Sequence, residues 1–120
     1  MKKQVFVGGS LRDAAKRVSE AWRRAEIGEG SDVEDNVTFV SWSALASVMT
    51  DRRYELLRHL HQRPAESVRA LSRDIGRDFK RVYEDVKALE AVGFIERSDG
   101  WLHADYDAIR ATILLDASAA

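Results

Sequence analysis

Apolar positions along the chain change their spacing several times, and each change predicts an element. Gln4, Val5, Phe6 and Val7 read as a short strand, and Gly8-Gly9 turns the chain. Ser10 can cap a helix, and from Leu11 the apolar positions 11, 14, 15, 18, 22 and 25 keep helical spacing. Arg12, Lys16, Arg23 and Arg24 fill much of the remainder, so an amphipathic helix of about 16 residues is predicted. "GEGSDVEDN" (28–36) is a polar, acidic loop, and the β-branched, aromatic "VTFVSW" (37–42) predicts a second strand, paired with residues 4–7.

Three more helices follow a short one at 43–48. Thr50 or Asp51 caps the first, which turns Tyr54, Leu56, Leu57 and Leu60 to one face and stops before Pro64. Ser67 caps the second, with Val68, Leu71 and Ile75 inward, and Gly76 breaks it. Asp78 caps the third, whose Phe79, Val82, Val86 and Leu89 are spaced for one buried face, and Gly93 ends it in a left-handed conformation. In "FIERSDGWLHA" (94–104), Asp99-Gly100 suits a two-residue type I′ turn, so strands 94–98 and 101–104 form a hairpin. Weak alternation at Ile109, Ala111, Ile113 and Leu115 predicts a last strand, with a helix from Asp105 as the other reading and a frayed "ASAA" end. Trp22, Trp42 and Trp101 read as core or interface anchors, Trp101 also as a support for the hairpin.

Composition narrows the function classes. A chain of 120 residues suggests one domain, or a small domain with an extra arm. The absence of cysteine excludes disulfides, thiolate metal sites and thiol catalysis, and a cytoplasmic location is the default. No apolar run nears the roughly 20 residues needed to span a bilayer, and "MKKQVFVGGSLRD" lacks the apolar stretch of a signal peptide. His59 and His61 are two apart and do not share a helix face, and His103 is distant, so no metal and no cofactor is expected. "GGS" lacks the lysine and spacing of a phosphate loop, and no catalytic constellation stands out, so the chain does not read as an enzyme.

The formal net charge is −1, but residues 50–100 hold 11 Lys and Arg against 10 Asp and Glu, while residues 101–120 hold one against three. A nucleic-acid footprint must therefore be a local patch in the middle segment. Helix, helix, glycine turn, helix and hairpin is the order of a winged helix-turn-helix, in which the second helix of the turn is pushed outward to enter the major groove. Opposite the apolar face of residues 79–92, near its start, stand Arg77, Lys80, Arg81 and Glu84. Arginine can bond a guanine edge in bidentate fashion, and a glutamate can accept from cytosine N4. Arg69, Arg73 and the hairpin's Arg97 are placed to grip phosphates. Glu84 and Asp85 otherwise repel DNA, so they either discriminate between bases or pair with neighbours such as Arg81 and Lys87. Mixed charges at this spacing also describe any solvated helix, and some winged helices bind proteins instead.

The segments "SVRALSRDIGRDFKRVYEDVKALEAVGFIE" and "TFVSWSALASVMTDRRYELLRHL", with the Asp-Gly hairpin, resemble winged helix-turn-helix regulators of the MarR/ArsR type. More narrowly, they resemble small prokaryotic DNA-binding proteins, some encoded beside a toxin and taken as antitoxins. The resemblance covers residues 37–106 well and the N-terminal arm loosely. It implies DNA contacts at Arg77, Lys80 and Arg81, with Arg97 in the wing.

The expected fold is α+β: an N-terminal strand-helix arm and acidic loop (1–36) suited to dimerisation or partner docking, a winged helix-turn-helix (37–106), and a C-terminal strand and tail (107–120). The expected function is a sequence-specific double-stranded DNA-binding transcriptional regulator, a repressor acting as a homodimer. The resemblance adds an autoregulating antitoxin with a small toxin as partner. The alternative is a protein-binding adaptor or toxin-neutralising module that uses the same exposed face without DNA.

Overall fold

The computed structural model describes residues 2–9 and 35–115, together with positions 15, 16, 19 and 23. Its element order is β1 (Lys2–Val7), β2 (Asp35–Phe39), α1 (Trp42–Val48), α2 (Asp51–Gln62), α3 (Val68–Ile75), α4 (Phe79–Ala91), β3 (Glu96–Ser98), β4 (Trp101–His103) and β5 (Ala108–Ile113). This is an α+β arrangement in two compact units, one formed by residues 1–45 with 107–120 and the other by Ala46–Tyr106.

In the first unit β1 is the middle strand of the order β2-β1-β5. Both neighbours run parallel to it, with Val5 opposite Val37 on one side and Ala111 on the other. The expected pairing of the two N-terminal strands is present, and β2 starts inside the stretch expected to be loop. Of the two readings for the C-terminal segment, the strand is observed. Parallel neighbours need a long crossover connection, which residues 8–34 supply between β1 and β2. The helix expected from Leu11 falls there. It is helical at 15, 16, 19 and 23, and the rest, with Trp22, most of the acidic loop and the "ASAA" tail, lies outside the described residues. Period-two alternation buries Lys3, Val5 and Val7 on one face of β1, and Phe39 of β2 is buried as well.

The second unit is built on three helices whose ends are set by capping side chains. The Thr50 hydroxyl accepts from the Arg53 amide at 3.3 Å, and Ser67 Oγ accepts from the Ala70 amide at 3.0 Å. The core takes Leu56, Leu57 and Leu60 from α2, Val68 and Leu71 from α3, and Val82, Val86 and Leu89 from α4. Phe94, Ile95, Leu102 and Ala104 close it from the hairpin side. Each large side chain among these contributes about 1.5–3 kcal/mol by leaving water.

β3 and β4 pair antiparallel, Ser98 with Trp101 and Arg97 with Leu102. Asp99 and Gly100 between them have φ of 53° and 84°, the double positive φ that a type I′ turn needs. One further strand contact was not foreseen. Ala65, between α2 and α3, exchanges two backbone hydrogen bonds with Leu102, at 2.9 and 2.7 Å. A single extended residue after Pro64 carries no periodicity that could announce it.

Several apolar assignments need correction. Tyr54 is 53 % and Phe79 37 % exposed, although helical spacing placed both inward. Phe79 opens α4, beyond the depth at which the core covers that face, and the Arg69 guanidinium lies 4.4 Å from its ring centroid. Arg58 sits over the Tyr54 ring in the same way, at 5.7 Å. Trp42 and Trp101 are also exposed, so neither is a core anchor.

The Tyr106 hydroxyl donates to the Phe94 carbonyl oxygen at 2.8 Å. Burial first, and the charge of Glu96 second, push the phenol well above its ordinary pKa of 10.0. The folded chain therefore keeps a proton that the unfolded chain gives up near pH 10.0. The associated stabilisation is complete below that pH and is lost as pH rises through the higher folded value. Tyr106→Phe should cost about 1 kcal/mol at neutral pH. It should also remove part of the alkaline loss of stability, both read from urea unfolding.

Candidate nucleic-acid interface

α3 and α4 are joined by three residues, Gly76, Arg77 and Asp78. Gly76 adopts the left-handed conformation (φ 66°, ψ 35°), and its N–H and that of Arg77 turn back to the last carbonyls of α3. Asp78 Oδ2 then accepts from the Arg81 amide at 3.3 Å and starts α4. A short turn of this kind brings two helices together at a steep angle, and here α3 and α4 pack on one another. A Cβ built on Gly76 meets nothing within 4 Å, so the cost of Gly76→Ala is backbone strain alone. It should be about 1–2 kcal/mol, visible as a lowered thermal midpoint.

With Val82, Val86 and Leu89 buried, the opposite face of α4 presents Lys80, Glu84 and Lys87 in one line, at steps of four and three. Arg81 flanks this line on one side. Phe79 and Tyr83 flank it on the other, with ring centroids 6.1 Å apart. Lys80, Arg81, Glu84 and Lys87 are exposed, and their side chains make no hydrogen bond or ion pair among the described residues. Arg73, on α3, is exposed and unpaired in the same sense.

Arg77 is placed differently. Its Nη2 donates to Asp85 Oδ2 at 2.7 Å, while Arg53 Nε donates to Asp85 Oδ1 at 3.0 Å. The three side chains are only 14–19 % exposed. Arg53 also reaches the Ser47 and Val48 carbonyls through Nη1, at 3.2 and 3.1 Å. Asp85 thus joins the start of α2, the turn before α4 and α4 itself. Of the two readings for this acidic pair, Asp85 takes the pairing one, but with Arg53 and Arg77 and not Arg81 or Lys87, because its position on the wheel faces α2 and not solvent. Arg97 Nε donates to Glu90 Oε2 at 2.7 Å on the more open hairpin side.

The structure therefore brings together Arg73, Lys80, Arg81 and Glu84 as free side chains around the α3–α4 junction, and ties Arg77 and Arg97 to carboxylates. Lys87 belongs to the exposed line although it was read only as a partner for Glu84 or Asp85. The step of seven from Lys80 is the pattern that marks it. Two histidines have a near polar neighbour: His61 Nδ1 lies 2.9 Å from the Ala104 carbonyl oxygen, and His103 Nδ1 2.9 Å from Asp105 Oδ2, while His59 Nε2 is buried with no hydrogen-bond partner among the described residues. Among the described residues no group of three His, Cys, Asp or Glu could hold a metal ion, and no helix is long and apolar enough to cross a membrane.

No curated protein and no solved structure matches this chain. The model of the HVO_A0114 family matches residues 48–111, more than half of the chain, from the end of α1 into β5. The chain belongs to that family.

Proposed function

We propose that this member of the HVO_A0114 family is a sequence-specific double-stranded DNA-binding transcriptional regulator, a repressor that works as a homodimer. In this reading residues 46–106 are a winged helix-turn-helix of the MarR/ArsR type, α4 is the recognition helix, and β3–β4 is the wing. The observation that carries it is the α3–α4 junction: a three-residue turn with a left-handed glycine, followed by a helix whose outer face holds Lys80, Arg81, Glu84 and Lys87 with no partner among the described residues. The extra strand contact from Ala65 to Leu102 supports the same reading, because it anchors the hairpin to the segment leading into α3.

The chemistry follows from these side chains. A helix fits the major groove, about 12 Å wide, and presents its first turns to base edges. Lys80 and Arg81 would meet guanine edges or phosphate there, and Glu84 would accept from cytosine N4 while repelling bases that offer only acceptors. Arg73 would hold phosphate beside the helix, and Arg97 would do so from the wing, sharing its guanidinium with Glu90. Arg77 supports the turn through Asp85 and contributes its charge to the junction. A near-neutral chain binds weakly as a single reader, and two linked half-site contacts raise affinity. The antitoxin role and a small toxin partner rest on the sequence resemblance alone.

Selection of bound sequences from random duplex DNA tests the proposal. Enrichment should give an inverted repeat with half-site centres about 10–10.5 base pairs, or a multiple, apart. Absence of any enriched sequence at moderate salt overturns it. One observation favours a second reading: the exposed Phe79–Tyr83 pair, with Arg69 stacked on Phe79, is also what a protein-docking helix offers. That reading predicts a pure protein that enriches nothing from the DNA pool.

A further inference from the structure

Among the described residues β5 has one neighbour, β1, and its other edge is unpaired in the sheet order β2-β1-β5. The Leu114 amide donates to the Val7 carbonyl oxygen at 2.9 Å. Backbone groups alternate in direction along a strand, so the even-numbered residues of β5 point theirs at β1. The N–H and C=O groups of Ile109, Ala111 and Ile113 therefore point outward. The side chains of these three residues share a sheet face with Lys3, Val5 and Val7, their register neighbours. Val5 and Val7 are 0 % and 3 % exposed, whereas Ile113 is 51 % and Leu115, next in the alternation, 99 % exposed. Exposure on this face therefore rises from β1 toward the end of β5. Nor is the edge blunted in the usual ways: "AIRATI" has no proline, no lysine and no glycine, and its single charge is Arg110.

We infer that a second copy of this chain pairs with β5 through antiparallel strand addition, joining two three-stranded sheets into one of six strands. The self-complementarity of the strand selects its register. A two-fold axis perpendicular to the sheet must pass between two copies of the same residue. The two residues nearest the middle of Ala108–Ile113 that could lie there are Arg110 and Ala111. Arg110 on the axis would set two guanidinium groups directly opposite each other, an unfavourable pair. Ala111 on the axis sets Ile109 against Ile113 of the second copy and Arg110 against Thr112 of the second copy. It also makes every outward N–H and C=O of the strand meet a partner. The apolar stripe Ile109, Ala111, Ile113 then runs unbroken across the axis.

This inference names the surface of the homodimer proposed above and does not depend on DNA binding. The chain contains no cysteine, so Ala111→Cys reports the axis directly. Hydrogen-bonded antiparallel pairs hold Cα atoms about 5.5 Å apart, within the roughly 4.4–6.8 Å that a disulfide spans. Under mild oxidation the full-length Ala111→Cys chain should become a covalent dimer, and Ser98→Cys, exposed on the hairpin, should not. Ala111→Pro deletes an outward N–H and no bond to β1, a position where an edge strand accepts proline. It should halve the mass seen by analytical ultracentrifugation at micromolar protein, with circular dichroism unchanged. If Ala111→Pro unfolds the sheet, the oxidation experiment still decides. A wild-type chain that sediments as a monomer overturns both the dimer and this surface. A wild-type dimer in which Ala111→Cys cross-links no faster than Ser98→Cys overturns the surface alone.

Discussion

Replacing Asp85 with alanine is expected to destabilise the folded chain by about 2–4 kcal/mol. The carboxylate is shared by two guanidinium groups, Arg53 Nε at 3.0 Å and Arg77 Nη2 at 2.7 Å, in a site less than one-fifth exposed. Surface ion pairs of ordinary geometry contribute about 0–1 kcal/mol, and the Arg97–Glu90 pair belongs with those, since both side chains are a third or more exposed. Asp85 differs in two ways. Its removal leaves two largely buried cations facing each other with no anion between them. It also frees Arg53, whose Nη1 bonds the Ser47 and Val48 carbonyls at the end of α1. The Arg77 Nη1 is already buried without a hydrogen-bond partner, so this guanidinium has no second acceptor to fall back on. Asp85→Asn keeps the volume and isolates the charge, and it should lose most of the same stability. Glu84→Ala, one residue away but exposed and unpaired, should stay within about 0.5 kcal/mol. Urea unfolding at constant slope is the measurement. A loss below that same threshold at Asp85 would mean that the pair of arginines is held by packing and not by charge.

The contrast between Asp85 and its neighbours marks where sequence reasoning succeeds. Caps at Thr50, Ser67 and Asp78, the breaker at Gly76 and the Asp99-Gly100 turn are local, since each side chain acts within four residues of itself. So is the spacing that selects Val82, Val86 and Leu89 for the core. Asp85 is not local. The i±4 rule offered it Arg81, whereas its partners in space are Arg77, eight residues back at 2.7 Å, and Arg53, 32 residues away at 3.0 Å. Spacing also says which face of a helix is apolar but not where along the helix the core ends, which is why Phe79 and Tyr54 were placed inside. Strand periodicity carries no direction, so the partnership of β1 with β2 was legible and its parallel sense was not. The free side chains Lys80, Arg81, Glu84 and Arg73 could be picked from the sequence because an exposed helix face needs no tertiary partner to define it. Arg77 could not be separated from them, because its burial depends on a carboxylate almost two helix turns into α4.

That separation sets the largest functional prediction. A Lys80→Ala, Arg81→Ala double variant is expected to bind duplex DNA roughly a hundredfold more weakly, taking each contact at about 1–2 kcal/mol. The slope of log affinity against log salt should fall by up to about 2, as phosphate or groove contacts and their released counterions are lost. Neither side chain has a partner among the described residues, so stability should remain within about 0.5 kcal/mol of the parent. Arg77→Ala should behave in the opposite order: it disturbs the Asp85 site first, so stability falls, and any loss of DNA binding follows from a displaced turn. Glu84→Gln should leave overall affinity near the parent or slightly higher while broadening the preferred base opposite it, because it keeps the reach and removes the charge that rejects acceptor edges. Titrations of the selected duplex at two or more salt concentrations, with unfolding curves beside them, read all three variants. If the double variant keeps both its affinity and its salt slope, α4 does not touch DNA through this face. The exposed Phe79–Tyr83 pair would then direct the search to a protein partner.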